Sequence, residues 1–115
     1  IDFQSAYLGF VAWDLLSVLE NSRMNFKREY NEDLIKYFYD NININIEFEK
    51  FRDQYYLLNL VRQTRLLGRW SKLLIETNDK DFLNYIGITK NRIISSLKNI
   101  SNNKLKKLYK RALLY

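Results

Sequence analysis

The chain contains no cysteine, no histidine and no proline, and only three glycines, Gly9, Gly68 and Gly87. Each absence removes a class of explanation. Without cysteine there is no disulfide framework and no thiolate chemistry, which fits a reducing compartment. Without histidine there can be no His-based triad, no His metal cluster and no imidazole pH switch inside this chain. Without proline, and with so few glycines, long uninterrupted helices are expected. No apolar run approaches the ~20 residues of a membrane span, so no membrane association is expected. No secretory leader is visible, and a cytoplasmic location is expected.

What is present is a chain of 115 residues, 47% hydrophobic and 16% aromatic, with a formal charge of +6. That is enough apolar and aromatic surface to bury one core and too much for intrinsic disorder. A basic balance points to nucleic acid or another anionic surface only in combination with a site. The chain is also rich in Lys, Asn, Ile and Tyr, a bias that yields such a charge by itself. The first residue is Ile, and a native reading frame begins with Met, so upstream sequence is expected.

The apolar periodicity predicts an all-α chain of five or six helices. Ile1–Gln4 reads as the end of a short strand and 5–11 as a loop around Gly9. Asp14 then opens a helix with Leu15, Leu16, Val18 and Leu19, where a carboxylate favours the helix dipole. A second helix, capped by Asn25, runs through Asp40 with Tyr30, Leu34, Tyr37 and Phe38 at helical spacing. Asn41–Asn45 alternates Asn with Ile, a strand-like pattern, but three Asn residues favour a linker.

Ile46–Thr77 is the strongest helical signal. Tyr56, Leu60, Leu67, Trp70 and Leu74 form one apolar stripe, with Arg62, Arg65, Arg69 and Lys72 opposite. Gly68 in its interior costs ~1 kcal/mol relative to Ala, so close packing against another backbone is expected there. Asn78 or Asp79 caps a short helix ended by Gly87, Thr89 caps another bearing Ile93, Ile94 and Leu97, and Asn102 or Asn103 starts a last helix with Leu105, Leu108, Ala112 and Leu113 on one face.

Residues that carry chemistry are few. The three glycines are too far apart for a phosphate loop, and no Ser or Thr has a His to act as base. Asp2, flanked by Ile1 and Phe3, is a carboxylate on a strand exit, of the kind that meets a hard cation such as Mg2+. The same tetrapeptide also suits a solvated strand end. Arg62 and Arg65 can hold a carboxylate or phosphate bidentately, or simply solvate the polar side of an amphipathic helix. Tyr56 and Trp70 read as core, because they lie on the apolar stripe.

Two stretches add a family likeness. Ile1-Asp2-Phe3-Gln4-Ser5-Ala6, Gly9 and Ala12-Trp13-Asp14-Leu15-Leu16-Ser17-Val18-Leu19 resemble part of the aminoglycoside phosphotransferase and choline kinase-like superfamily. Arg62-Gln63-Thr64-Arg65-Leu66-Leu67-Gly68-Arg69-Trp70-Ser71-Lys72-Leu73 is similar to the long helix of its bacterial cell-wall sugar kinases, which phosphorylate N-acetylmuramate and N-acetylglucosamine at the anomeric carbon. The tail from Ile88 to Leu114 resembles the closing helices of that branch, although Thr89 stands near a position where the branch commonly has Pro.

The resemblance implies a partial C-terminal lobe of a protein-kinase-like fold. Residues 1–11 would be the metal-binding strand end and loop, and 12–115 the helical subdomain. It implies ATP as phosphoryl donor, Mg2+ on Asp2, Asp14 as structural support of the catalytic loop, and Arg62 and Arg65 toward the sugar substrate. The catalytic base, a metal-binding Asn and a phosphate-holding Lys belong to a missing N-terminal lobe, so the chain alone should be inactive. The alternatives are a basic helical nucleic-acid-binding module, resting on the charge and on Lys104, Lys106, Lys107, Lys110 and Arg111, or a protein-interaction domain. Nucleic acid is disfavoured because those lysines alternate with an apolar stripe as a solvated face does, and no recognised binding motif appears.

Overall fold

A computed structural model of the chain describes residues 3–21, 24 and 26–113. The chain is all-α. Its helices are α1 (Phe3–Leu19), α2 (Arg28–Asn41), α3 (Phe48–Thr77), α4 (Asp81–Asn99) and α5 (Asn103–Leu113). No strand occurs among the described residues.

α3 organises the rest. Its 30 residues span ~45 Å at 1.5 Å per residue, which accounts for the 47 Å long axis of the molecule. Only 78–80 separate α3 from α4, so the two pack as a helical hairpin. Asn78 makes the reversal. It sits in the left-handed region at φ 56°, and its N–H donates to the Leu74 carbonyl at 2.8 Å; Asn tolerates this conformation better than most residues. Asp79 then accepts the Asp81 N–H at 3.0 Å and helps to start α4.

α1 and α2 lie against α3. The core is Ala12, Leu16 and Leu19 of α1, Ile35 of α2, Phe51, Tyr55, Tyr56 and Leu60 of α3, and Ile93, Leu97 and Ile100 at the end of α4. Phe38, Tyr39, Phe48 and Phe51 continue it as an aromatic cluster with ring centroids 5.2–6.5 Å apart, a favourable range for aromatic pairs. In the 42–47 connection Ile42, Ile44 and Ile46 turn to this core and Asn43 and Asn45 face solvent. The alternation is that of an extended linker with one buried edge.

Several expectations are corrected. From Phe3 onward the chain is helical, so the strand end and loop expected over 1–11 are absent from Phe3 to Val11. Gly9 does not break α1: the glycine cost of ~1 kcal/mol is small beside burial of Ala12, Leu16 and Leu19. Likewise α4 runs unbroken through Gly87 and Thr89, and Thr89 is buried in mid-helix rather than capping. Gly68 makes no close backbone approach, because a Cβ added there would meet nothing within 4 Å. In α5, Asn102 does cap, accepting the Leu105 N–H at 3.0 Å. The face that packs is Leu105 and Tyr109, while Leu108 and Ala112 are exposed. In α2, Tyr30 and Tyr37 are exposed, and Asn31 and Ile35 are buried. Asn25 lies outside the described residues.

Candidate functional site

Two clusters of arginine distinguish this fold. The first is interior. Glu20 follows the last turn of α1 and is fully buried. It accepts two hydrogen bonds from the Arg28 guanidinium, at 2.8 and 2.9 Å, and one from the Tyr55 hydroxyl at 2.6 Å. The Arg92 Nε stands 3.7 Å from it. Arg92 also donates to the carbonyls of Glu20 and Met24, and Gln63 Nε2 donates to the Glu20 carbonyl at 3.1 Å. Burial pushes the Glu20 carboxyl up, but the hydrogen bonds and charges of Arg28, Tyr55 and Arg92 outweigh it and hold it below its ordinary value. Burial, and then the charge and hydrogen bond of Glu20, raise the Tyr55 phenol. This cluster ties Glu20 and Met24 to α2, α3 and α4. The Glu20 carboxylate is buried and fully partnered, although Asn31 Oδ1 and Gln63 Oε1 beside it accept no hydrogen bond; its role is structural.

The second cluster is at the surface, where α1 crosses α3. Trp13, Arg62, Arg65, Leu66 and Arg69 line a cavity of about 320 Å3. Arg62 and Arg65 are one turn apart and Arg69 is one turn further, so helical spacing puts all three on one side of α3. α1 supplies the opposite wall through Trp13, whose ring lies 5.8 Å from the Arg62 guanidinium carbon, within cation–π range. Arg62 is half-buried rather than solvated, and its Nε is buried without a hydrogen-bond partner. Burial first, and the Arg65 charge second, lower the Arg62 guanidinium from its ordinary value. With a normal value above 12 it stays charged near neutrality.

Among the described residues no carboxylate lines this cavity. None of its three arginines forms an ion pair with a described residue, whereas Lys72, the next basic residue on that side, stands 3.9 Å from Glu76. A larger hollow of about 630 Å3 lies between the start of α3 and the end of α4. There Arg52 is paired with Glu32 and donates to Asn99, and Asp53 accepts from Ser101, while Glu49 and Lys50 also line the hollow.

The structure thus brings the expected substrate-binding residues Arg62 and Arg65 together and adds Trp13, Leu66 and Arg69. Asp2, the expected metal ligand, lies outside the described residues. Asp14 is placed differently from the expectation. It is exposed in the middle of α1 and opens no helix, because the preceding residues are themselves helical and their carbonyls take the amides an N-terminal Asp would have received. Tyr56 is core, as its stripe position implied, and donates to Glu32 at 2.9 Å. Trp70 is half-buried in a cluster with Phe82 and Tyr85. Among the described residues no group of three or more carboxylates could hold a metal ion. They do not by themselves furnish a magnesium site. No described helix is long and apolar enough to cross a membrane. Comparison with family models, with curated proteins and with solved structures finds no match for this chain.

Proposed function

We propose that this chain is the helical, acceptor-binding part of a cytoplasmic ATP-dependent kinase that phosphorylates a sugar hydroxyl, with the amino sugars of the bacterial cell wall as the favoured substrate class. The observation that carries the reading is the meeting of Trp13 with Arg62 and Arg65. Trp13 belongs to the stretch that resembles the aminoglycoside phosphotransferase and choline kinase-like superfamily, and Arg62 and Arg65 to the one similar to the long helix of its cell-wall sugar kinases; the two are far apart in sequence, and they wall one cavity.

In such enzymes the protein positions the reactants and neutralises charge, and does little covalent chemistry. On this reading Mg2+, with ATP, supplies phosphate neutralisation, with Asp2 as the ligand from this chain. Arg62 and Arg65 orient the acceptor. The base and the remaining nucleotide-binding groups come from an N-terminal lobe. Asp14 would support a loop of that lobe, and its exposure leaves it free to do so. The uninterrupted α1 argues against the reading, since the family has a strand, a loop and then a helix opened by Asp.

The test is phosphoryl transfer from magnesium ATP to N-acetylglucosamine and N-acetylmuramate. The protein translated together with its upstream coding sequence should show turnover, and the 115-residue chain none. An upstream sequence that encodes no kinase lobe, or magnesium-dependent turnover by the chain alone, overturns the reading.

A second reading is favoured by α5, whose charged side chains (Lys104, Lys106, Lys107, Lys110 and Arg111) are all basic. That face suits a nucleic acid or an acidic protein. Salt-dependent binding of duplex or single-stranded nucleic acid, lost on neutralising Lys107 and Lys110, would favour it over the kinase.

A further inference from the structure

The surface charge of this chain is unevenly answered. The basic groups of α5 face open water, and the arginines at the start of α3 and in the interior have carboxylate partners. Arg62, Arg65 and Arg69 differ from both. They converge on a cavity, have no carboxylate partner among the described residues, and repel one another. Like charges at i,i+3 and i,i+4 on a helix cost ~0.2–0.5 kcal/mol per pair, so the three-arginine row is held against its own repulsion. Arg62 also gives up solvent at Nε and gains no partner for it. A guanidinium offers a planar fork of donors matched to the oxygens of a carboxylate or phosphate. Beside the fork stand the Trp13 ring and the Leu66 side chain, which give an apolar wall to a neighbouring ring or carbon chain. The volume is at the small end of ligand cavities, ~300–1,000 Å3.

We infer that the cavity walled by Trp13, Arg62, Arg65 and Arg69 binds the oxyanion of a small molecule, a carboxylate or a phosphate, with Arg62 and Arg65 holding the anion and Trp13 covering the body that bears it. That the bearer is the acceptor sugar rests on the kinase reading; that the cavity takes an oxyanion does not. For the kinase, it narrows the substrate to a sugar with an acidic substituent.

The experiment uses the full 115-residue chain carrying Trp70→Phe. Trp70 belongs to the separate aromatic cluster with Phe82 and Tyr85, so the remaining fluorescence reports Trp13. Inorganic phosphate, glucuronate and glucose are titrated at constant ionic strength. A saturable change with phosphate or glucuronate is expected, and none with glucose; which anion binds more tightly identifies the group. Arg65→Gln with Arg69→Gln, both exposed positions whose folding is checked by circular dichroism, should weaken binding roughly tenfold or more, the scale of lost charge-assisted contacts. Arg65→Lys should weaken it less. Lys107→Gln with Lys110→Gln on α5 should leave it unchanged.

An equal response to glucose, no saturable response to either anion, or equal affinity in the Arg65/Arg69 variant overturns the inference. Turnover plays no part in this readout. Anion binding without phosphoryl transfer by the longer protein sinks the kinase and leaves the cavity, and transfer without anion binding does the reverse.

Discussion

The interior of the bundle and the crossing of α1 over α3 use the same side chain to opposite ends. Around Glu20, the buried Arg92 and the half-buried Arg28 stand beside a carboxylate that Tyr55 and Asn31 also reach. Around Trp13, three arginines stand together with no carboxylate among the described lining residues. The contrast separates a charge that completes a fold from a charge that waits for something outside it. A buried charge survives only when paired and hydrogen-bonded. At a water-exposed cavity an unpaired guanidinium costs little, and its donors stay available.

The largest effect should come from breaking the interior pairing. Glu20→Ala leaves Arg28 and Arg92 without their carboxylate and should cost ~3–5 kcal/mol, the usual penalty for removing one partner of a buried pair. Urea denaturation of the variant against the parent measures it. A loss well under 1 kcal/mol would mean that the interior cluster is wetter than the fold implies, and the contrast with the cavity would vanish.

Acid should expose the same pairing. The Glu20 carboxyl is held below its ordinary value in the fold, against an unfolded value near ~4.3. A depressed carboxylate contributes stability that is fully present above the unfolded value and lost as pH falls through the folded one. The stability gap between the parent and Glu20→Gln should therefore be widest near neutrality and close as pH drops below ~4. Melting temperatures from pH 7 to pH 3 check the sign; a gap that widens in acid contradicts it.

Legibility in the sequence divides along the same line. The helical class, the long α3 and the core place of Tyr56 follow from apolar spacing, and the Asn-Ile linker from its three Asn residues against a strand-like alternation, since those features depend on near neighbours. Arg62 and Arg65 were visible as candidate anion ligands because they lie on one side of one helix. Trp13 as the facing wall was not, because the crossing of α1 over α3 has no local signal. The interior cluster was invisible for that reason too: Arg92 and the Glu20 carbonyl are 72 positions apart. One trace of it existed. Thr89, Arg92 and Ser96 recur at helical spacing beside Ile93 and Leu97, placing polar groups on a face that proved buried. The start of α1 was misjudged because Gly9 was read as a break, although one glycine cannot outweigh a buried apolar face.

Gly68 sharpens the comparison from the α3 backbone beside the cavity. It is exposed, and an added Cβ would meet nothing within 4 Å. Gly68→Ala should therefore stabilise the protein by ~1 kcal/mol through helix propensity alone, read as a rise in melting temperature. Destabilisation would mean that something approaches this side of α3 more closely than the structure shows.

The smallest effect is the most specific to the cavity. Arg65→Glu would place a carboxylate one turn beyond Arg62, replacing an i,i+3 repulsion with an attraction. Each such pair is worth ~0.2–0.5 kcal/mol, so the variant should be slightly more stable than the parent and should lose that gain at high salt. A stabilised variant that no longer binds an anion would show that the parent carries its arginine repulsion at a real if modest cost to the fold, whereas in the interior the Glu20 carboxylate offsets the repulsion between Arg28 and Arg92. If Arg65→Glu instead destabilised the chain, the row would already be compensated by a carboxylate near it, and the cavity would resemble the interior after all.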